Sequence, residues 1–261
     1  MKKNINIAVV GLGNIGIYLL NEINSKRKNI ELLTGKKINI SAVSAKNIKK
    51  KRKFKFNKSI FYKNPLNIFK KKKIDILFEC IGSSDGISKK IVEKAIKNKC
   101  HVITPNKALI AKHGNNLSKL AEKYKVNLEF EASVCGGIPI LRTIKEGLST
   151  NKLNKVYGIL NGTSNYILSE MESTKDTFDN VLKKAQILGY AEPGNATPDL
   201  NGSDAMSKVK ILSSLAFNNQ ISSHKCLMQG IENIDSKDFE IADQLNLKIK
   251  LLGITEIIDN K

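Results

Sequence analysis

A glycine-rich turn near the N-terminus constrains the fold of this chain more than any other feature of its sequence. The turn reads GLGNIG at 11–16, follows a short apolar, β-branched run at 5–10 and runs into an amphipathic stretch at 15–23. This order predicts a strand, a tight turn and a helix. The chain is therefore expected to begin with the first unit of an α/β fold.

The three glycines of this turn have distinct expected tasks. Gly11 would make the turn, Gly13 would let a pyrophosphate approach the backbone, and Gly16 would allow close packing of helix and strand. Because the N–H groups at a helix start bind phosphate oxygens, the motif predicts a dinucleotide site. We expect the whole turn to contact the dinucleotide: Gly11, Leu12, Gly13, Asn14, Ile15 and Gly16.

Further strands and helices follow in alternation. Apolar runs at 38–43, 74–81 and 101–104 are typical of strands, and 87–97 is typical of a helix. Alternating strands and helices form parallel sheets, and ligands bind beyond the carboxyl ends of the strands. Two residues follow such strand ends and are expected at the cleft: Ser83 in a Gly-Ser-Ser turn, and Lys107 in Pro-Asn-Lys.

The end of the second strand bears on which dinucleotide is bound. An Asp or Glu there would bind the ribose hydroxyls of NAD, but the chain reads Ser44-Ala45-Lys46-Asn47, followed by a basic run that contains Arg52. Cations at this place suit the 2′-phosphate of NADP. We expect NADP, with Lys46 among its contacts. NAD stays open because lysines are abundant throughout the chain.

The net charge raises the question of nucleic-acid binding. The formal charge of the 261-residue chain is +20, but its lysines are scattered, and the densest runs, 49–53 and 70–73, contain no interleaved aromatic residues. We interpret the charge as a solvated surface and expect neither a nucleic-acid nor a membrane partner, since no long uncharged apolar run is present. Four cysteines without paired spacing indicate reduced thiols, as in a cytoplasm.

The segment 189–208, GYAEPGNATPDLNGSDAMSK, contains three carboxylates and a lysine that are candidates for catalysis and substrate binding. Asp204 and Lys208 are four residues apart on an expected helix and share a face. Partial removal from water and a second cation nearby, Lys107, would make Lys208 a useful base. An ordinary exposed ion pair is the alternative. The neighbouring apolar face is expected to pack on the core through Ala205, Val209, Leu212 and Ala216.

Taken together, six segments resemble the homoserine dehydrogenase family. They are GLGNIG, TPNKA, EASVCGGIP, YGILNGTSNYIL, GYAEP and DLNGSDAMSK, in family order and close to family spacing. The resemblance implies an α/β protein with a Rossmann dinucleotide-binding domain over 1–130 and an α+β substrate-binding, catalytic and dimerisation domain over 131–261. It also implies NAD(P)-dependent interconversion of L-homoserine and L-aspartate 4-semialdehyde, a step toward threonine and methionine.

The same resemblance implies roles for individual residues. Lys208 is similar to the family's general acid/base, and Lys107 to a second active-site lysine close to nicotinamide and substrate. Glu192 matches a ligand of the substrate amine, with Asp199 and Asp204 as further acidic members. Donors for the substrate carboxylate are expected from the Asn-Gly-Thr-Ser turn, namely Gly162 and Thr163.

The EASVCGGIP loop admits two interpretations. It matches a sodium site built in the family from backbone carbonyls, which suit a hard cation. The corresponding carbonyls belong to Glu131, Val134, Gly136 and Ile138. Alternatively, Cys135 could be the nucleophile of an acyl-forming semialdehyde dehydrogenase, but no recognisable histidine base accompanies it. We expect a packing cysteine.

Two departures from the family pattern matter. The loop between Glu192 and Asp199 is one residue longer than usual, which makes the contact of Asp199 with substrate less secure. The chain also stops at Lys261, inside an expected sheet at 247–257, so the second domain is expected to be incomplete. An incomplete sheet would leave apolar surface at 247–258 that pairs in a homodimer or aggregates. The alternative function is an inactive dinucleotide-binding fragment.

Overall fold

A six-stranded parallel sheet organises the first of two units, residues 1–138 and 139–261. The computed structural model describes residues 4–194, 196–218 and 226–258. The strands of the sheet are β1 (Asn4–Val10), β2 (Lys37–Ser44), β3 (Phe61–Tyr62), β4 (Ile76–Glu79), β5 (His101–Ile103) and β6 (Leu128–Glu129). Their order across the sheet is β3-β2-β1-β4-β5-β6, with every pair parallel. This is the order of a doubly wound dinucleotide fold, and it confirms the expected Rossmann architecture.

The helices of the first unit connect these strands. They are α1 (Asn14–Ser25), α2 (Arg27–Thr34), α3 (Ile68–Lys71), α4 (Ile87–Lys97) and α5 (Lys107–Tyr124). Helix α1 starts inside the glycine motif, as the pattern predicts, and α4 has the predicted bounds. The strand expected at 74–81 is shorter, because β4 pairs with β1 and that partner ends at Val10, opposite Glu79.

The core of the first unit lies around β1. Its last four residues are buried, as expected for a strand that is covered by helices on both faces. Val9 packs against Leu12 and Leu20 from the turn and α1, and against Val43 from β2. Burial of these four apolar side chains holds the glycine turn against the ends of β1 and β2.

The second unit contains helices and a two-stranded antiparallel sheet. The strands are β7 (Lys155–Gly158) and β8 (Gly253–Glu256), paired with Tyr157 opposite Ile254. A π-helical turn at Thr143–Gly147 follows the first helix. The helices are α6 (Ile140–Arg142), α7 (Gly162–Thr174), α8 (Phe178–Leu188), α9 (Thr197–Leu200), α10 (Ser203–Phe217) and α11 (Ser236–Gln244).

Helix α10 packs on one face of this sheet. A Cβ atom at Gly253 would lie 2.6 Å from Cγ2 of Val209 and 2.5 Å from Cδ1 of Leu160. A glycine at this strand position therefore allows the helix to approach. Thr255 Oγ1 also bonds Ser213 Oγ at 3.0 Å. The helix predicted for Asp204 and Lys208 is thus confirmed, and its face Ala205, Val209 and Leu212 is buried, with Ala216 half-buried.

The sheet expected at 247–257 forms over a shorter segment. Leu247 is exposed and donates its N–H to Ala242 O at the end of α11. Its backbone therefore closes the helix terminus instead of pairing in a strand, and β8 begins at Gly253. None of the helices within the described ranges has the length and apolarity needed to cross a bilayer.

Candidate active site

A cavity of about 1220 Å³ opens in the first unit at the carboxyl ends of the central strands. Gly11, Leu12 and Gly13 of the glycine turn line it, together with Lys46 and Arg52. The remaining turn residues start α1: Asn14 and Ile15 are exposed, and Gly16 is buried. The cavity lies where ligands bind in open α/β sheets, beyond the carboxyl ends of parallel strands whose connections lead to opposite sides of the sheet.

The glycines of the turn differ in their surroundings. Gly11 has a φ of +96°, and a Cβ there would lie 2.3 Å from the carbonyl oxygen of Cys80. A Cβ at Gly16 would lie 2.0 Å from the carbonyl oxygen of Gly11. At Gly13, by contrast, a Cβ would meet nothing within 4 Å. Two glycines are therefore required by the fold itself, whereas Gly13 leaves open space beside the cavity.

Arg52 ties the basic loop after β2 to the glycine turn. Its Nε donates to Leu12 O at 3.3 Å, its Nη1 to Lys50 O at 2.9 Å and its Nη2 to Asn47 O at 2.7 Å. The basic run predicted a charged Arg52 but not this anchoring. Five lysines line the same cavity: Lys46, Lys50, Lys63, Lys71 and Lys72. The cavity therefore suits an anionic group.

A buried carboxylate that the sequence analysis missed lies behind this cavity. Glu79 ends β4 and is 0% exposed. Its Oε1 accepts hydrogen bonds from Ile81 N at 2.8 Å and Ser88 Oγ at 2.6 Å. Its Oε2 accepts from Thr104 Oγ1 at 2.6 Å and Asn106 Nδ2 at 3.3 Å. Both oxygens are satisfied, as burial of a carboxyl group requires.

Asn106 carries this network to the start of α5. Its Oδ1 accepts from Leu109 N at 3.1 Å and so caps the helix, while its Nδ2 donates to Ser83 O at 2.8 Å. Lys107 is the first residue of the capped helix. The two predicted site residues Ser83 and Lys107 are thus connected to one buried group.

Lys208 and Asp204 form a buried ion pair in the second unit. Nζ of Lys208 lies 2.6 Å from Oδ2 of Asp204 and donates to Leu160 O, also at 2.6 Å. The two side chains are only 15% and 3% exposed. Asp204 lies in the first turn of α10, where the helix dipole favours a negative charge. The alternative of an ordinary exposed ion pair is therefore wrong.

Asn161 joins two carboxylates to the start of α7. Its Oδ1 accepts from Ser164 N at 2.8 Å and caps the helix, so its Nδ2 faces the carboxylates. Nδ2 donates to Asp199 Oδ1 at 2.6 Å and to Asp204 Oδ2 at 2.9 Å. Asn161 was not among the predicted site residues, although an Asn between a strand and an expected helix is a typical N-cap signal.

The loop that carries Glu192 approaches the same helix start. Thr163 Oγ1 donates to Tyr190 O at 2.6 Å, and the rings of Tyr166 and Tyr190 stack with centroids 4.3 Å apart. Glu192 follows two residues later on an exposed part of the loop, and Gly162 is exposed at the first position of α7. The structure therefore brings Asp199, Asp204 and Lys208 together through Asn161.

The 131–138 loop groups with the first unit, whereas the sequence analysis put the domain boundary after residue 130. Cys135 has a φ of 48° and Gly137 a φ of 91°. The carbonyl of Cys135 accepts from Ile138 N at 2.9 Å, and that of Glu131 accepts from Val134 N at 3.4 Å. No cluster of three His, Cys, Asp or Glu side chains suited to a metal occurs in the part of the chain that the structure describes.

The described histidines are engaged away from Cys135. His101 Nδ1 accepts from Asn127 N at 3.0 Å, and His113 Nε2 bonds Asp85 Oδ1 at 2.9 Å. Burial raises the pKa of the Cys80 and Cys100 thiols to about 12, and the nearby charge of Glu79 adds to the effect at Cys80. Cys80 therefore lines the cavity as an unreactive thiol, and the arrangement does not favour thiol catalysis.

Two family models match this chain. The model "Homoserine dehydrogenase, NAD binding domain" matches residues 11–131, and the model "Homoserine dehydrogenase" matches residues 139–259. Together they leave out only 1–10, 132–138 and 260–261. The chain belongs to the homoserine dehydrogenase family.

Relatives and solved structures agree with this membership. The homoserine dehydrogenases of Neisseria gonorrhoeae and Bacillus subtilis are 41% and 35% identical to the chain, over 97% of its length in each case. The crystal structure of a homoserine dehydrogenase from Thiobacillus denitrificans is 36% identical, covers 99% of the chain and has a TM-score of 0.88. A crystal structure of the S. aureus homoserine dehydrogenase is 37% identical, covers 99% of the chain and has a TM-score of 0.85.

The matches cover only part of each relative. The chain spans 58% of the length of the curated homoserine dehydrogenases from N. gonorrhoeae and B. subtilis. It spans 59% of the T. denitrificans chain and 62% of the S. aureus chain. The alignments cover nearly all residues of this chain. The aligned part therefore contains both the glycine turn and the cluster of Asn161, Asp199, Asp204 and Lys208.

Proposed function

We propose that this protein interconverts L-homoserine and L-aspartate 4-semialdehyde with a nicotinamide dinucleotide. The arrangement of buried Asp204 and Asn161 with partly buried Lys208 and Asp199 carries the proposal. It combines a proton-transfer group with carboxylates that can hold an amino group, and it occurs in a chain of the homoserine dehydrogenase family. The 1–138 unit would bind the cofactor and the 139–261 unit the substrate.

Lys208 is proposed as the general acid/base. An ammonium has three N–H donors, and the bonds to Asp204 and Leu160 O use two of them. The third can meet the substrate oxygen. In the reduction, Lys208 would give its proton to the aldehyde oxygen while hydride adds to the carbon, and it would regain a proton from water. In the oxidation, its neutral amine would accept the hydroxyl proton.

The acidic side chains are proposed to hold the substrate's amino group. Asp199 accepts one N–H of Asn161 and has further acceptor positions for an ammonium. Glu192 is proposed as a second ligand of the amine. The N–H groups in the first turn of α7, at Gly162 and Thr163, lack partners within the helix and would bind the carboxylate. Substrate would thus be fixed at both charged ends.

The first unit fits a phosphorylated dinucleotide. A pyrophosphate can approach Gly13, where even an added Cβ would meet no atom within 4 Å. We propose NADP rather than NAD because Lys46, Lys50 and Arg52 line the cavity beside the end of β2. Ser83 and Lys107 are proposed as further contacts. The bound nicotinamide would supply or accept the hydride.

A sodium ion in the 131–138 loop is a further proposal. The carbonyl of Cys135 accepts from Ile138 N within the loop and is not among the four carbonyls proposed as ligands, whereas the carbonyl of Glu131 accepts from Val134 N at 3.4 Å and keeps its second lone pair for an ion. Those four belong to Glu131, Val134, Gly136 and Ile138. Backbone oxygens of such a loop are a suitable donor set for a hard cation.

The activity is tested by mixing the purified protein with homoserine and either NADP or NAD. We expect nicotinamide absorbance to rise with both homoserine and cofactor, with a higher kcat/KM for NADP because of the cations at the end of β2. Repeating the assay in a buffer without sodium tests whether the proposed ion is needed for activity. Cofactor binding without any homoserine-dependent change of absorbance would instead support the inactive dinucleotide-binding alternative.

We also propose a homodimer that forms through the uncovered face of the β7–β8 sheet. Helix α10 covers one face, whereas Tyr157, Ile159 and Ile254 on the other are 68%, 45% and 47% exposed. Size-exclusion chromatography with light scattering is expected to give a dimer that Ile254→Lys dissociates. Ile187→Lys, at an exposed position on α8, is the matched control and should stay dimeric. A well-behaved wild-type monomer contradicts the proposal.

A further inference from the structure

We propose that Glu79 is a positioning residue, whose buried carboxylate sets the 82–84 turn and the start of α5 and thereby places Ser83 and Lys107 at the cofactor. The inference rests on the proposed function. It concerns a group that cannot touch a ligand, because Glu79 is 0% exposed behind the cavity. Its effect must pass through the residues that it holds.

The contacts of Glu79 come from four separate points of the cofactor-side loops. Ile81 N belongs to the turn after β4, and Ser88 Oγ to the first turn of α4. Thr104 Oγ1 belongs to the residue after β5, and Asn106 Nδ2 to the residue whose Oδ1 caps α5. One side chain therefore joins two neighbouring strand–helix connections, and both connections lead to residues proposed to contact the cofactor.

Asn106 connects Glu79 to the two residues proposed to contact the cofactor, Ser83 and Lys107. Its Nδ2 reaches Ser83 O at 2.8 Å as well as Glu79, and its Oδ1 holds Leu109 N at 3.1 Å. The first of these bonds sets the 82–84 turn, and the second sets the helix start that presents Lys107. If Glu79 no longer orients Asn106, both bonds are weakened together.

Only a carboxylate satisfies all four donors. Each oxygen of Glu79 accepts one O–H and one N–H hydrogen bond. Oε1 accepts from Ser88 Oγ and Ile81 N, and Oε2 accepts from Thr104 Oγ1 and Asn106 Nδ2. A hydroxyl can turn and accept, but an amide N–H cannot. In Glu79→Gln the new NH₂ group must face one of the two N–H donors in either orientation. The substitution therefore disrupts the network although it preserves the volume of the side chain.

The proposal is tested with Glu79→Gln, using Glu93→Gln as the matched control. Glu93 lies on α4, and its carboxylate is partly exposed beside Lys89. We expect Glu79→Gln to lower kcat about 100-fold, as a misplaced catalytic group does, with less than a threefold change in the KM for homoserine. NADPH affinity, measured by fluorescence titration, should fall about tenfold. The control should match the wild type in each measurement.

A second readout does not depend on turnover. Lysine-specific labelling followed by mass spectrometry gives the labelling rate of Lys107 with and without NADPH. We expect NADPH to protect Lys107 in the wild type and in Glu93→Gln, and to lose at least half of that protection in Glu79→Gln at saturating NADPH. Wild-type kcat and wild-type protection in a folded Glu79→Gln protein would overturn the proposal.

Two variants of Thr104 cover the case in which Glu79→Gln does not fold. Thr104→Val removes one donor to Glu79 and also the acceptor of Asn106 N, which bonds Thr104 Oγ1 at 3.0 Å, whereas Thr104→Ser keeps both bonds. Only the valine variant should lose NADPH protection of Lys107, and equal protection in both would overturn the proposal. A wild-type protein that binds NADPH but does not oxidise homoserine would refute the proposed reaction, while the labelling experiment would still test Glu79.

Discussion

Replacing Lys208 by alanine is expected to lower kcat for homoserine oxidation about 10³-fold while NADP(H) affinity stays unchanged. The proton of the substrate hydroxyl then has no acceptor. The cofactor cavity is lined by residues of the 1–138 unit and is not altered by the substitution. Steady-state kinetics and a fluorescence titration with NADPH measure the two quantities separately.

The same substitution also affects stability, and the effect must be separated from catalysis. Removing the ammonium leaves Asp204, whose side chain is 3% exposed, without its cation, and a broken buried ion pair costs about 3–5 kcal/mol. The double variant Lys208→Ala/Asp204→Asn removes both charges. It should regain much of the lost stability in thermal unfolding but none of the lost activity.

Lys208→Arg provides the matched control for charge. Arginine can keep the ion pair with Asp204, but it does not release its proton in proteins, so we expect a folded and inactive variant. Turnover at the wild-type rate in Lys208→Ala, or in a folded Lys208→Arg protein, would refute the assignment of proton transfer to Lys208.

Alanine at Gly13 is expected to weaken NADP(H) binding by about 100-fold without loss of stability, because the turn has room for a methyl group but the pyrophosphate needs that space. A Cβ at this position meets no atom within 4 Å, so the free energy of unfolding should change by no more than about 0.5 kcal/mol. Thermal unfolding without cofactor and a titration with NADPH test the two parts.

Gly11→Ala provides the contrast. Its φ of +96° and the distance of 2.3 Å from an added Cβ to Cys80 O require the turn to move, at a cost of roughly 3 kcal/mol. Gly147→Ala, where the nearest atom is 4.0 Å away, is the neutral control for both measurements. NADPH binding at the wild-type level in Gly13→Ala would mean that the dinucleotide does not approach this turn.

Elements with a strong local pattern were predicted well. The strand before GLGNIG, the helix at 87–97 and the helix that carries Asp204 and Lys208 all form. In each, the spacing of apolar residues over one segment already decides which face is buried. The strand expected at 247–257 forms only from Gly253 to Glu256, because the backbone of Leu247 bonds the end of α11, and a short apolar run does not distinguish a helix terminus from a strand.

The buried polar connections were not predictable from local patterns. Glu79 receives bonds from residues as far as 27 positions away, and Asn161 reaches 38 and 43 positions along the chain. Isolated Glu and Asn residues carry no periodic signal. Their hydrogen-bond partners exist only after the strands have been ordered and the helices packed.

Local sequence therefore determines the alternation of strands and helices, the glycine turn and the motifs that identify the family, because strand period, turn glycines and helix spacing act over a few neighbouring residues. Only tertiary packing turns the segment 189–208 into a candidate active site. It buries Asp204 with Lys208 and directs one amide group of Asn161 at both Asp199 and Asp204. Burial makes these contacts strong, since charged and polar groups removed from water must find partners within the protein.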